Sequence, residues 1–209
     1  MSITAEVITY KETVKSAYLA KTTAVAPGAN TYAAPTSVDS IKQVQKSEQR
    51  SELSIYASGK VFRKVSKHSA TNLGIDAISL PSAFVRWALG HSSDANGGFG
   101  FDKSTDVPTE FALGIAYDNS DGTSAFEWYP RCVLSNGDET VKDPGASPTD
   151  PSTSYSVVAL PYGADDVIRI EYDQQNVLAT KVPLTEAVFF ATVLDSVANT
   201  LVGTETVKA

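Results

Sequence analysis

The chain has 209 residues, 20% of them charged and 42% hydrophobic, with a net charge of −7 at pH 7. That composition suits a folded chain of one generous domain or two small ones, and its acidic balance argues against tight nucleic-acid binding, which needs a basic footprint. The longest apolar run, Ala187–Leu194, is eight residues broken by Thr192, far short of the about 20 that cross a bilayer.

Met1–Tyr10 lacks a basic segment followed by an apolar one. No secretory signal is read, and a soluble protein made in a cytoplasm is expected. Ile3–Thr23 mixes Val, Ile, Thr and Tyr with Lys, a strand composition. Residues 24–36 (AVAPGANTYAAPT) read as a long loop. Val38, Ile41 and Val44 are the apolar positions of a loosely alternating stretch, and Lys46–Glu52 is polar and therefore exposed. Leu53–Ala57 and Lys60–Val65 read as two strands around a Ser58-Gly59 turn.

Leu73–Leu80 reads as a further strand, with Leu73, Ile75, Ala77 and Ser79 on one face. A short helix at about 80–90 follows. Pro81 suits its first position, Phe84, Trp87 and Ala88 form one apolar stripe, and Gly90 suits the residue that ends it. Two and a half turns do not stand alone, so the helix must lie on a sheet. After a glycine-rich loop at 94–100, Phe111, Leu113, Ile115 and Tyr117 alternate with Ala112, Gly114 and Ala116. Asn119-Ser-Asp-Gly122 then makes a turn, and the return strand carries Phe126, Trp128, Cys132 and Leu134 in register, with Pro130 marking an edge or a bulge.

Residues 135–154 form a second long polar loop with three prolines. Tyr155–Leu160 and Val167–Tyr172 read as strands, the latter with Ile168, Ile170 and Tyr172 on one face and Arg169 and Glu171 on the other. Leu184–Leu201 has helical spacing at 184, 187, 188, 191, 194, 198 and 201, though its Phe189-Phe190 pair and β-branched content leave a strand open for part of it. There is no internal repeat and no sharp boundary, so residues 1–209 are taken as one domain, mainly β with one or two short helices.

The charge is unevenly spread. Residues 1–100 carry a net +4 and residues 101–209 a net −11. Two readings stand: electrostatic complementarity between copies, or two independently solvated faces.

Candidate chemistry is sparse. Gly97-Gly98-Phe99-Gly100 follows a helix and precedes a strand, the reverse of a phosphate-binding loop, and reads as a linker. Asp118–Glu127 fails calcium-loop spacing, with Gly122 at position 5 and Glu127 at position 10. His68 and His91 are 23 residues apart without a ligand motif and read as surface residues. Cys132, the single cysteine, excludes an intrachain disulfide and a cysteine zinc cluster, and is expected as a small buried hydrophobe. Asp165-Asp166 sits in a turn, and no Gly-x-Ser-x-Gly elbow occurs. No catalytic, cofactor-binding or metal-binding residue is assigned, and the chain is read as not an enzyme.

In order, Ala17-Tyr-Leu-Ala-Lys, Ser51-Glu-Leu-Ser-Ile-Tyr-Ala-Ser-Gly-Lys-Val-Phe62, Leu80-Pro-Ser-Ala-Phe-Val-Arg-Trp-Ala-Leu-Gly90 and Pro108-Thr-Glu-Phe-Ala-Leu-Gly114 are followed by the Asp-Gly turn and its aromatic return strand. This succession, over roughly residues 16–163, resembles the major tail protein (tail tube protein) of long-tailed, non-contractile bacteriophages, in the family common in phages of Gram-positive hosts. Leu184–Leu194 is similar to that family's closing helix.

The resemblance implies a β-sandwich or barrel-like domain with one packed helix, and six copies in a ring whose stacking makes the tube of the virion. It implies no cofactor. The implied partners are further copies of the chain, together with tape measure, tail terminator and distal tail proteins. DNA is passing cargo without specific binding, in a lumen whose acidity keeps phosphate from sticking. The two long loops are candidates for contacts between rings or subunits. Two other readings remain open: a carbohydrate-binding or adhesin-like β-sandwich using Trp128 and Tyr129 as a sugar platform, and the tube of a related injection system.

Overall fold

A computed structural model describes residues 10–25, 30–57, 60–94, 100–139, 152–177 and 181–196. Its strands are β1 (Lys11–Ala24), β2 (Thr31–Tyr32), β3 (Thr36–Val38), β4 (Ile41–Ala57), β5 (Lys60–Ala77), β6 (Ser92–Ser93), β7 (Gly100–Phe101), β8 (Phe111–Asn119), β9 (Ser124–Glu139), β10 (Thr153–Ala159) and β11 (Ile170–Asp173). Its helices are α1 (Ser82–Ala88), between β5 and β6, and the single turn α2 (Glu186–Phe189) near the end. The chain is mainly β with short helices, as the strand-like segments along its sequence predict. No described helix is long and apolar enough to cross a membrane.

Nine strands form one antiparallel sheet in the order β2-β1-β8-β9-β10-β5-β4, with β3 also on β1 and β11 also on β9, while β6 and β7 pair separately. The alternation along β8 explains why this sheet buries both faces. Phe111, Leu113, Ile115 and Tyr117 join an inner core with Leu73, Ile75, Phe84, Tyr129 and Val157. Ala112 and Ala116 face the opposite way, into a second core with Phe126, Trp128, Leu184, Phe189 and Phe190. Small residues on this outer face let an aromatic segment lie flat on the strands: Phe190 stacks on Tyr18 at 4.0 Å and meets Trp128 edge-on at 5.3 Å.

Helix α1 seals the inner core through Phe84 and Ala88. Pro81 sits one position earlier than its sequence context suggests, as the extended N-cap and not the first helical residue. The C-terminal end follows the prediction. Gly90 has φ +79°, its N–H donates to the Trp87 carbonyl at 3.0 Å, and the His91 N–H donates to Arg86 at 2.9 Å, the paired bonds of a Schellman stop.

Three further sequence expectations are corrected. Phe126 and Trp128 do not share a face with Cys132 and Leu134. A bulge beside Pro130 shifts the β8–β9 register, so the first pair enters the outer core and the second the inner one. Ile168 lies outside β11 and joins the inner core, apart from Ile170 and Tyr172. The helix over Leu184–Leu201 shrinks to α2: Leu184, Phe189, Phe190 and Leu194 are buried, Ala187, Val188 and Ala191 are exposed, and 197–201, with the expected positions 198 and 201, lie outside the described residues. The sheet floor, not a helical stripe, sets that burial.

The long loops also shorten. Within 24–36, Thr31–Tyr32 pairs with β1. Within 135–154, β9 continues to Glu139 and β10 begins at Thr153, the intervening 140–151 lying outside the described residues.

Candidate self-association surface

The two strands expected on either side of Ser58-Gly59 are parts of one long antiparallel pair, with residues 58–59 themselves outside the described residues. β4 and β5 pair from Ile41↔Ala77 out to Ala57↔Lys60, whereas β10 supports β5 only from Thr71 inward. Residues 49–57 and 60–70 therefore form a two-stranded arm beyond the sheet, and among the described residues β4 has no partner strand but β5. Isolated two-stranded ribbons are marginal in water, and open edges invite pairing with other chains.

The side chains of this arm are unlike those of a solvated loop. Phe62 is 77% exposed, Tyr56 67% and Leu53 63%. Leu53 lies opposite Val65 and Ile55 opposite Arg63, so these four share a face. The other face carries the exposed Lys64–Glu52 ion pair at 2.5 Å. Residues 41–77 hold seven Lys+Arg and three Asp+Glu, a net +4, so the remainder of the chain carries −11. The basic excess noted in the first half of the sequence thus belongs to this hairpin.

At the root of the arm lies a buried ion cluster. Glu127, on the inner face of β9, is fully buried. It accepts hydrogen bonds from Lys46 of β4 at 2.6 Å, Lys11 of β1 at 2.5 Å and the Tyr129 hydroxyl at 3.0 Å, with the Tyr117 hydroxyl at 3.4 Å and Arg169 at 3.9 Å. Both lysines also lie over the Tyr117 ring, at 4.9 Å for Lys11 and 4.6 Å for Lys46.

Burial alone pushes the Glu127 carboxyl up, but Lys46 and Lys11 outweigh it and hold it below the ordinary range. Burial wins at Lys46, whose ammonium is held below its usual value despite Glu127. Burial also lifts the Tyr117 and Tyr129 hydroxyls. Perturbed groups of this kind mark catalytic sites and structural ion networks alike. Here both carboxylate oxygens are already engaged, and a cleft of about 250 Å³ lined by Leu19, Lys21, Val38, Pro81 and Phe84 lies elsewhere. The geometry is that of a strand clasp.

The fold brings His91 together with Asp102 and Asp106, offering three ligand atoms within 4.8 Å of one another. Separations of 11 and 15 residues gave no sign of this in the sequence. Asp102 is 79% exposed, and Asp106 already accepts the Lys103 N–H at 2.9 Å. His68 bonds the Ala70 carbonyl and the Thr71 hydroxyl at the arm's root. Cys132 is buried, its thiol pushed up by burial. Trp128 and Tyr129 are fully buried, so they present no sugar platform. The Asp118–Glu127 segment runs from the end of β8 through the turn at 120–123, with Gly122 at φ +81°, into the start of β9. Gly97–Phe99 lie outside the described residues. Neither a protein-family model nor a curated protein matches the chain.

Proposed function

We propose that the chain is a structural, non-catalytic virion protein that self-assembles into stacked rings, six copies to a ring, forming a phage tail tube through which DNA passes to the host. The observation that carries this reading is the β4–β5 arm. A monomer that ends its working life in water gains nothing by placing Phe62, Tyr56 and Leu53 on a ribbon outside its own core. Covering them against another copy gives the apolar area a use and satisfies an open edge.

The arm is basic and the rest of the chain acidic, so the arm of one copy is complementary to the body of another, beyond the Lys67–Asp166 pair it makes with its own. Such head-to-tail contacts use two different surfaces and generate rings or filaments. The order of motifs, which resembles that of tail tube proteins, points the same way. In that assembly the further partners are tape measure, terminator and distal tail proteins, and the acidic balance suits passage of DNA without adhesion.

The test is negative-stain electron microscopy of the purified protein over a rising concentration series. Rings or tubes of uniform diameter are expected. Dispersed monomers at every concentration overturn the proposal.

A further inference from the structure

The Glu127 cluster joins parts of the sheet that lie far apart along its strand order. β4 ends the sheet at one side and β1 lies next to its other end, yet Lys46 and Lys11 converge on one carboxylate of the central strand β9. Lys46 pairs with Leu73 of β5, just inside the point where β10 ceases to support β5 at Thr71. A bulge at Gln49/Arg50 and the buried Thr71 follow immediately. Further out, Lys67 reaches Asp166 of the Gly163–Asp166 turn at 3.0 Å, but both partners are well exposed, and such pairs hold weakly. Lys46–Glu127, with its carboxylate fully buried and its lysine half-buried, is the better shielded attachment at the arm's root.

Leverage makes this attachment consequential. At about 3.3 Å per residue, Lys60–Ala70 projects roughly 33 Å, so a tilt of about 10° at the root moves the tip by about 6 Å. A β-edge contact requires strand spacing near 4.8 Å to be met within a fraction of that distance.

We infer that the Lys46–Glu127 attachment, held in place by Lys11, Arg169, Tyr117 and Tyr129, is the joint that fixes the angle of the β4–β5 arm to the body. Lys46 and Glu127 are thus positioning residues that act on association through the arm. The inference deepens the assembly reading and rests on it for its purpose, while the joint itself is a property of the monomer.

Spin labels on Ser66→Cys of the arm and Ser120→Cys of the β8–β9 turn read the angle as a distance distribution in dilute monomer. Cys132 is buried and escapes labelling. One narrow distribution is expected without further change. Lys46→Met, which removes the ammonium, and Glu127→Gln, which removes the charge it binds, are each expected to broaden it at least twofold. Lys46→Arg, which keeps a cation, is expected to restore the narrow form, with circular dichroism verifying a folded body throughout.

An unchanged distribution in whichever of the two cutting variants folds overturns the joint. If neither folds, the cluster serves stability alone and the inference also falls. Failure of the unmodified chain to assemble counts against the tube reading without moving these distances, so the two failures are distinguishable.

Discussion

At the scale of single residues, the outer core depends on what is missing from Gly114. A Cβ there would stand 2.6 Å from Phe190 Cε1 and 3.1 Å from the Trp128 ring, closer than packed carbons tolerate. Gly114→Ala should therefore lift Phe190 off the sheet, at a cost of about 1–3 kcal/mol for overpacking. A lowered urea midpoint with faster hydrogen exchange confined to residues 184–194 is the expected outcome, and a midpoint equal to that of the unmodified chain refutes it. Glu127 makes a second prediction, through pH. Its folded carboxyl lies below the unfolded value near 4.5, so its stabilisation is complete above about pH 4.5 and is lost as pH falls through the folded value. Glu186 acts in the same sense: burial raises it, but Lys15, Ser16 and Tyr18 outweigh that and hold it low. Lys11 acts at the opposite end. Burial lowers it, yet Glu127 and Glu171 raise it above 10.5, so its contribution is present below that value and fades as pH climbs through the folded one. Denaturation midpoints should fall steeply below pH 4.5, and Glu127→Gln, less stable at pH 7, should show a shallower acid limb. Equal acid limbs would remove Glu127 from the cause.

At the scale of elements, legibility followed period and local chemistry. The alternation of β8 and the Gly90 stop of α1 were readable because pleat and positive φ are local demands. The full length of β4 and β5 was not, because Lys46–Glu52 is polar on both faces, and strands without a buried face carry no periodic signal. The C-terminal segment misled for a related reason: Leu184, Phe189, Phe190 and Leu194 answer to the relief of a sheet contributed by distant residues, which spacing within the segment does not encode. The bulge at Pro130 was readable, its exchange of faces was not. For the candidate surface, the residues of the arm were visible as two separate strands, while Glu127 attracted notice only as a failed calcium ligand. Its cluster draws on β1, β4, β8, β9 and the segment before β11. The arm also yields a prediction. Replacing Ser51–Lys67 by a two-residue Asn-Gly turn removes Leu53, Tyr56 and Phe62 but none of the core. The shortened chain should keep its urea midpoint within about 0.5 kcal/mol of unfolding free energy, as surface changes do, and should sediment as a monomer at concentrations where the full chain associates. Undiminished association would show that the arm is not the contact.

For the whole molecule, the distribution of charge decides how association responds to salt. A chain of net −7 repels its copies at long range, so association needs an attraction strong at contact. The hairpin at +4 facing a remainder at −11 supplies one. The screening length falls from about 10 Å at 0.1 M salt to about 3 Å at 1 M, so added salt weakens both the long-range repulsion and the contact attraction. The arm's charges are solvent-exposed, as at Lys64 and Arg50, and in the proposed contact such charges respond readily to screening. If their attraction dominates, the association constant should drop on the order of tenfold between 0.05 and 0.5 M sodium chloride, a loss equivalent to about 1.4 kcal/mol. Lys60→Glu together with Arg63→Glu takes the hairpin from +4 to 0. That variant should associate weakly in low salt and lose the negative slope. Sedimentation equilibrium at four salt concentrations measures both slopes. If association of the unmodified chain instead strengthens with salt, Leu53, Tyr56 and Phe62 carry the contact and charge serves only to keep copies apart. The double variant separates these cases, because an apolar contact would leave its high-salt association equal to that of the unmodified chain.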